Sequence, residues 1–178
     1  LSALAFRGGH DPADLGDPLL ERGPGIAAPL FALTAPGPDD VFLIASNSGI
    51  NGAVVEFASL VRQAGLPLIA LTSVAHTTSV APRHPSGMRL RDLADVVIDN
   101  GAPAGDAALD LGQGVLVGAV SNLAGVVVAQ LLIEGVARVF LEQGRIPPVY
   151  RSMNLPGGDQ HNAALTASVA GRVHPIEA

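Results

Sequence analysis

Short apolar runs that stop at hydroxyl or amide residues recur through the middle of the chain, and they limit the folds open to it more than any other feature. Val41-Phe42-Leu43-Ile44-Ala45 ends in Ser46-Asn47-Ser48-Gly49, and Leu66-Pro67-Leu68-Ile69-Ala70-Leu71 ends in Thr72-Ser73. Asp95-Val96-Val97-Ile98-Asp99 and Val115-Leu116-Val117 follow. Runs of this length bounded by turn residues mark strands buried on both faces. Pro67 stands where a strand begins and its missing N–H is tolerated. Between the first two runs Val54, Phe57, Ala58 and Val61 recur at helical spacing up to Gly65, a natural residue just past a helix end. Met88 to Ala94 has room for one or two helical turns. Strands alternating with helices across short loops require a parallel sheet with right-handed crossovers. The expected class is therefore α/β, a three-layer, Rossmann-like sandwich with a mainly parallel sheet flanked by helices. Ligands in such sheets bind beyond the carboxyl ends of the strands, where the hydroxyl-rich turns fall.

A length of 178 residues predicts a single domain. Residues 1–40 form an irregular part broken by Pro12, Pro18, Pro24, Pro29, Pro36 and Pro38, residues 41–149 an α/β core, and residues 150–178 a polar tail. Leu1 to Phe6 reads as the middle of an amphipathic helix with no N-cap before it, so an N-terminal piece is expected to be missing. Hydrophobic residues make up 48% of the chain and aromatics only 3%, so the core must be built from Ala, Val, Leu and Ile. Ser121 is a natural N-cap for a long helix closing near Gly144, with Glu134, Arg138 and Glu142 forming one outer charged stripe. The charge-free span from Val115 to Ile133 is long enough to cross a bilayer. Ser121, Asn122 and Gln130 inside it favour a buried core helix instead, so no membrane partner and a cytoplasmic protein are expected. A helix apolar on nearly every side needs cover on every side, which predicts a homodimer or homotetramer.

All ten basic residues are arginines, and cysteine is absent. Schiff-base lysine chemistry, P-loop nucleotide hydrolysis and thiol nucleophiles are therefore excluded. A net charge of −6 argues against a nucleic-acid surface, so an anionic ligand must be held locally. Without a Gly-x-Gly-x-x-Gly after any strand, no dinucleotide cofactor is expected, and no histidine cluster has convincing spacing for a metal.

The segment Ser46-Asn47-Ser48-Gly49-Ile50-Asn51 lies between a strand and a helix N-terminus. The first turn of a helix leaves backbone N–H groups unpaired and carries partial positive charge, so a phosphate there meets donors and a favourable field together. Serine hydroxyls and the Asn51 amide add neutral donors, Gly49 lets the backbone approach, and Thr72 and Ser73 end the neighbouring strand. The same residues also suit an ordinary capping turn.

These residues resemble the mark of the sugar isomerase (SIS) domain family, a strand followed by Ser-x-Ser-Gly-x-(Ser/Thr) opening a helix, with Asn51 in place of the last hydroxyl. The likeness extends to a subgroup named for phosphoheptose isomerases over Ala70 to Ser73, Ser79 with Arg83 to Gly87, Ala94 to Asn100, Gly105 to Ala107 and Asn154 to Asn162. The resemblance implies a single SIS domain with its first strand, helix and Gly-x-Gly-His-Ser-like loop missing, and a break in the chain near Pro18–Leu20. It implies a phosphorylated sugar as ligand, held by Ser46, Asn47, Ser48, Gly49, Asn51, Thr72 and Ser73. It also implies either an aldose–ketose isomerase or a non-catalytic phosphosugar-sensing module.

Isomerisation needs a base to move a proton between C1 and C2. The carboxylate and imidazole candidates are Asp17, Glu21, Glu56, Asp106, Glu134, Asp159, His161, and His76 and His84 in a polar loop from His76 to Gly87. Asp17 and His161 are taken as the catalytic candidates, as alternatives, in a site that a partner subunit could complete. His84, Asp106, Asp159 and Asn162 are expected at the substrate or at a subunit interface. The helix from Ser121 to Gln143 has no histidine, where characterised family members carry one.

Overall fold

The computed structural model describes residues 20–22 and 25–171. Asp17, the helix expected at Leu1–Phe6 and the break expected near Pro18–Leu20 lie outside the described residues. The chain divides into two compact units, 1–128 and 129–178.

In the first unit the three leading apolar runs become β1 (Phe42–Ala45), β2 (Leu68–Thr72) and β3 (Val96–Asp99), paired in parallel in that order. The register sets Ile44 beside Ala70 and Ala70 beside Val97. A turn at Leu20–Arg22 and helix α1 (Ala27–Thr34) precede the sheet. Helix α2 (Gly52–Gln63) joins β1 to β2, and α3 (Val74–Ser79) and α4 (Leu90–Leu93) lie between β2 and β3. The α/β class with a parallel sheet flanked by helices is thus as the alternation predicts.

The core forms where the apolar stripe of α2 meets one face of the sheet. Ala58, Val61, Leu66, Leu68, Ala70 and Leu90 are buried together, with Phe31, Phe42, Ile44 and Phe57 packed around them. The rings of Phe31, Phe42 and Phe57 sit at centroid separations of 5.6, 5.7 and 5.8 Å and supply the bulk that a largely aliphatic core lacks. Helix α2 ends as expected at Gly65 (φ 72°), whose N–H donates to the Arg62 carbonyl while Leu66 N–H donates to the Val61 carbonyl. That pattern buries Leu66 against the helix it terminates. Asp95 joins the starts of two strands by accepting from the Leu68 N–H at 2.8 Å and from the Arg62 guanidinium. The Leu68 N–H and Arg62 hold its carboxyl below the usual range, against the opposing effect of burial.

The fourth run departs from expectation. It forms β5 (Leu116–Ala119), which pairs antiparallel with β4 (Ala107–Asp110) in a separate two-stranded sheet. The cause is the intervening turn: Gly112, Gln113 and Gly114 all have positive φ, and Leu111 N–H closes onto the Val115 carbonyl at 2.9 Å. A hairpin uses only local pairing, whereas a parallel partner needs a long crossover.

Helix α5 (Val120–Glu142) follows directly. Its end is the one expected: Gly144 (φ 69°) donates to the Leu141 carbonyl and Arg145 N–H to the Phe140 carbonyl, before Pro147 and Pro148. Glu134 and Arg138 pair along its charged stripe. The burial expected of it is not found within the single chain, because none of its residues is buried and Leu123 is 75% exposed. Among the described residues it is the one helix long and apolar enough to cross a membrane.

In the second unit the tail expected to be merely polar contains helix α6 (Gly158–Ser168). Gly157 (φ 77°) precedes it, and Asn162 fastens it to the preceding segment by accepting from Arg151 N–H and donating to the Arg151 carbonyl, both at 2.8 Å.

Candidate functional site

The carboxyl ends of β1, β2 and β3 are joined through the side chains that terminate them. Thr72 Oγ1 donates to the Asn47 carbonyl at 3.0 Å, and the Ser73 N–H donates to the same oxygen at 3.0 Å. Asn100, one residue beyond β3, donates from Nδ2 to Asn47 Oδ1 at 3.0 Å and accepts from the Ala102 N–H. Ser73 Oγ donates to the Ala102 carbonyl at 2.6 Å while accepting from the His76 N–H, so it caps α3. Thr72 and Ser73 are completely buried. Both hydroxyl protons are therefore committed inside the protein, and the two residues shape the loop from below.

The loop above them is equally fixed. Ser46 Oγ accepts from the Gly49 N–H at 3.2 Å, the Gly49 carbonyl accepts from Leu90 N–H at 2.8 Å, and the Ile50 carbonyl accepts from Arg83 N–H at 3.2 Å. Gly49 has φ 60°, and a Cβ there would lie 3.2 Å from Leu90 Cβ and 3.3 Å from Thr72 Oγ1. Both the left-handed backbone and the close approach call for glycine. Ser48 is half-buried, and its hydroxyl makes no hydrogen bond within the described residues.

Asn51 is the N-cap of α2 by backbone geometry, yet its side chain does not cap the helix. Its Oδ1 accepts from Arg83 Nη1 at 2.6 Å and its Nδ2 donates to Glu21 Oε1 at 2.7 Å. This buried amide, 7% exposed, bridges a carboxylate and a guanidinium. The N–H groups of Gly52, Ala53 and Val54, which have no partner within the helix, consequently receive none from the cap residue. Sequence reasoning missed Arg83 and Asn100 as parts of this constellation and reached Glu21 only as one carboxylate among many. The signals were the Arg83-His84-Pro85-Ser86-Gly87 segment and the amide directly after the third apolar run.

The remaining predicted residues are scattered. His84 accepts from the Ser86 N–H and pairs with the Ser86 hydroxyl at 2.8 Å within its own turn. His76 lies on α3 instead of in a loop, its Nδ1 accepting from Gly105 N–H at 3.1 Å. Glu56 accepts from the Gly25 N–H at 2.9 Å. Asp106, with φ 71°, accepts both the Ser121 N–H at 2.7 Å and the Ser121 hydroxyl at 2.6 Å, and so caps α5 from outside it. These Ser121 bonds, with His76 nearby, hold its carboxyl below the ordinary range although burial works the other way. Ser121 thus lies in the first turn and receives the cap that it was expected to supply. In the second unit Asp159 is exposed on the first turn of α6, and His161 Nε2 donates to the Val149 carbonyl at 3.0 Å. Among the described residues no three His, Asp or Glu side chains could together hold a metal ion.

With this geometry in place, comparison with known proteins gives a direct match to the SIS domain over residues 2–73, a span that includes Ser46–Gly49 and Thr72-Ser73. A UPF0309 protein of Halalkalibacterium halodurans is 41% identical over 144 residues, covering 80% of this chain and 60% of the relative. UPF0309 proteins of Listeria monocytogenes and Brucella anthropi are 39% and 37% identical, covering 76% and 85% of this chain and 58% and 62% of themselves. The chain thus spans about three fifths of the length of these relatives. The match over residues 2–73 agrees with the SIS resemblance read from the loop, while the relatives' names carry no phosphoheptose isomerase activity.

Proposed function

We propose, on the premise of a SIS domain matched over residues 2–73, that the end of β1 and the start of α2 bind the phosphate of a phosphorylated sugar. The observation that carries this reading is a helix N-terminus at the carboxyl edge of a parallel sheet whose own cap residue leaves the first turn open. Ser46, Asn47, Ser48, Gly49 and Asn51 line the phosphate side. Thr72 and Ser73 hold the loop in shape.

The reaction proposed is aldose–ketose isomerisation, with Asp17 or His161 as the proton-moving group. Because Nε2 of His161 donates to a carbonyl, its Nδ1 carries the lone pair in the neutral ring and is the atom able to accept a proton. The alternative is a module that senses a sugar phosphate without converting it. A second copy of the chain is the proposed cover for α5, on which Leu123, Val126, Val127, Leu131, Ile133 and Val136 are exposed.

Ser48→Ala should weaken binding of fructose 6-phosphate about three- to tenfold, the worth of one neutral hydrogen bond. Thr77→Ala, which removes a buried hydroxyl without a partner, should leave binding unchanged. Equal losses would argue against the loop. Proton NMR of aldose and ketose phosphates in deuterated water separates the two functions, since an isomerase washes out the C2 proton and a sensor binds without exchange.

A further inference from the structure

The chain has no lysine, so any cation offered to a phosphate must be an arginine. Most described arginines are engaged elsewhere. Arg62 pairs with Asp95, Arg91 with Asp92 and Arg138 with Glu134. Arg89 donates to the Thr77 and Val80 carbonyls, and Arg145 stacks on Phe140. Arg83 is placed at the loop in two ways: its backbone N–H is fixed to the Ile50 carbonyl, and among the described residues its guanidinium bonds to the neutral amide of Asn51. A guanidinium carries five N–H donors, and one bond to an amide leaves most of them uncommitted.

The same bond has a consequence for α2. Asparagine is among the best N-caps because its side-chain oxygen satisfies the N–H of the second or third helical residue. At Asn51 that oxygen is occupied by Arg83, and the amide nitrogen is held from the other side by Glu21. Arg83 and Glu21 together therefore keep the cap side chain off the helix end, whose N–H groups it leaves open.

We propose that Arg83 is the specificity-determining cation of this site, holding Asn51 off the first turn of α2 and turning its free donors to the phosphate, so that the site selects a phosphomonoester dianion over an uncharged sugar. The inference rests on the phosphate-loop reading above. Glu21 is a positioning residue in it, acting through Asn51.

The experiment is titration calorimetry of the full chain with fructose 6-phosphate and with inorganic phosphate, alongside thermal melts, for wild type, Ser48→Ala, Arg83→Ala and Arg83→Lys. Arg83→Ala is expected to lose about tenfold or more in affinity for both probes, as for the loss of a charge-assisted hydrogen bond. Its melting temperature should hold or rise, because Asn51 becomes free to cap α2. Arg83→Lys should recover part of the affinity by restoring charge without the planar fork. Binding in the wild type that Ser48→Ala weakens and Arg83→Ala leaves intact overturns the Arg83 inference alone. A fall in melting temperature matching the loss of affinity, with no recovery in Arg83→Lys, overturns it as well. No binding of either probe by the wild type removes the phosphate-loop reading beneath it.

Discussion

Gly49 shows how much a single position can settle. Its positive φ and its closeness to Leu90 and Thr72 together mean that Gly49→Ala forces strain and displacement at once. A loss of about 1–2 kcal/mol in denaturant unfolding is expected from the backbone alone. Asp106 gives a second residue-scale prediction. Its carboxyl titrates below the ordinary value because Ser121 donates to the charged form. Its contribution is therefore fully present above the unfolded value near 4 and is lost as pH falls through the lower folded value. Asp106→Asn should be less stable than wild type at pH 7, and urea midpoints followed downward should converge once both proteins lack the charge. At this scale the sequence was legible for Gly49 and Ser46, whose types have few other uses in a strand-to-helix turn. It was not legible for Asn51, since the choice between capping a helix and bridging Glu21 to Arg83 depends on residues about thirty positions away in both directions.

Elements with strong local signals were readable, and those defined by partners were not. The strands β1 to β3 and the closures of α2 and α5 follow from apolar runs and from Gly65 and Gly144, all local chemistry. Helix α3 escaped because Thr77, Thr78 and Ser79 have middling helix propensity, and what sustains it is the Ser73 cap and the bond from Thr78 Oγ1 to the Val74 carbonyl. Helix α6 escaped because its sequence is polar and its anchor is the Asn162 clamp on Arg151. Hairpin pairing of β4 with β5 turned on the left-handed turn at Gly112–Gly114, a signal present in the sequence but outweighed by the expectation of a parallel strand. The central strand offers the element-scale test. Leu68 is fully buried between α2 and the sheet, so Leu68→Ala should cost about 2–5 kcal/mol by calorimetry, with the spread set by how far the cavity collapses.

For the whole molecule, the unmet burial of α5 gives a prediction about mass. If a second copy covers it, sedimentation should report more than the 18.0 kDa of one chain, and Val136→Glu should shift the distribution toward the monomer. A monomer with α5 uncovered in buffer and a strong response to lipid vesicles would reverse that expectation. The three-stranded sheet carries a separate consequence. Among the described residues β1 and β3 each have only β2 as neighbour, so each presents an outer row of backbone donors and acceptors. Such a border is a template: a synthetic peptide of alternating β-branched residues offered in solution could zip onto β1 or β3 and lengthen the ladder, and two copies could join border to border. Where the borders of the described sheet stay unpaired, thioflavin fluorescence at high concentration reports the unproductive version of the same pairing.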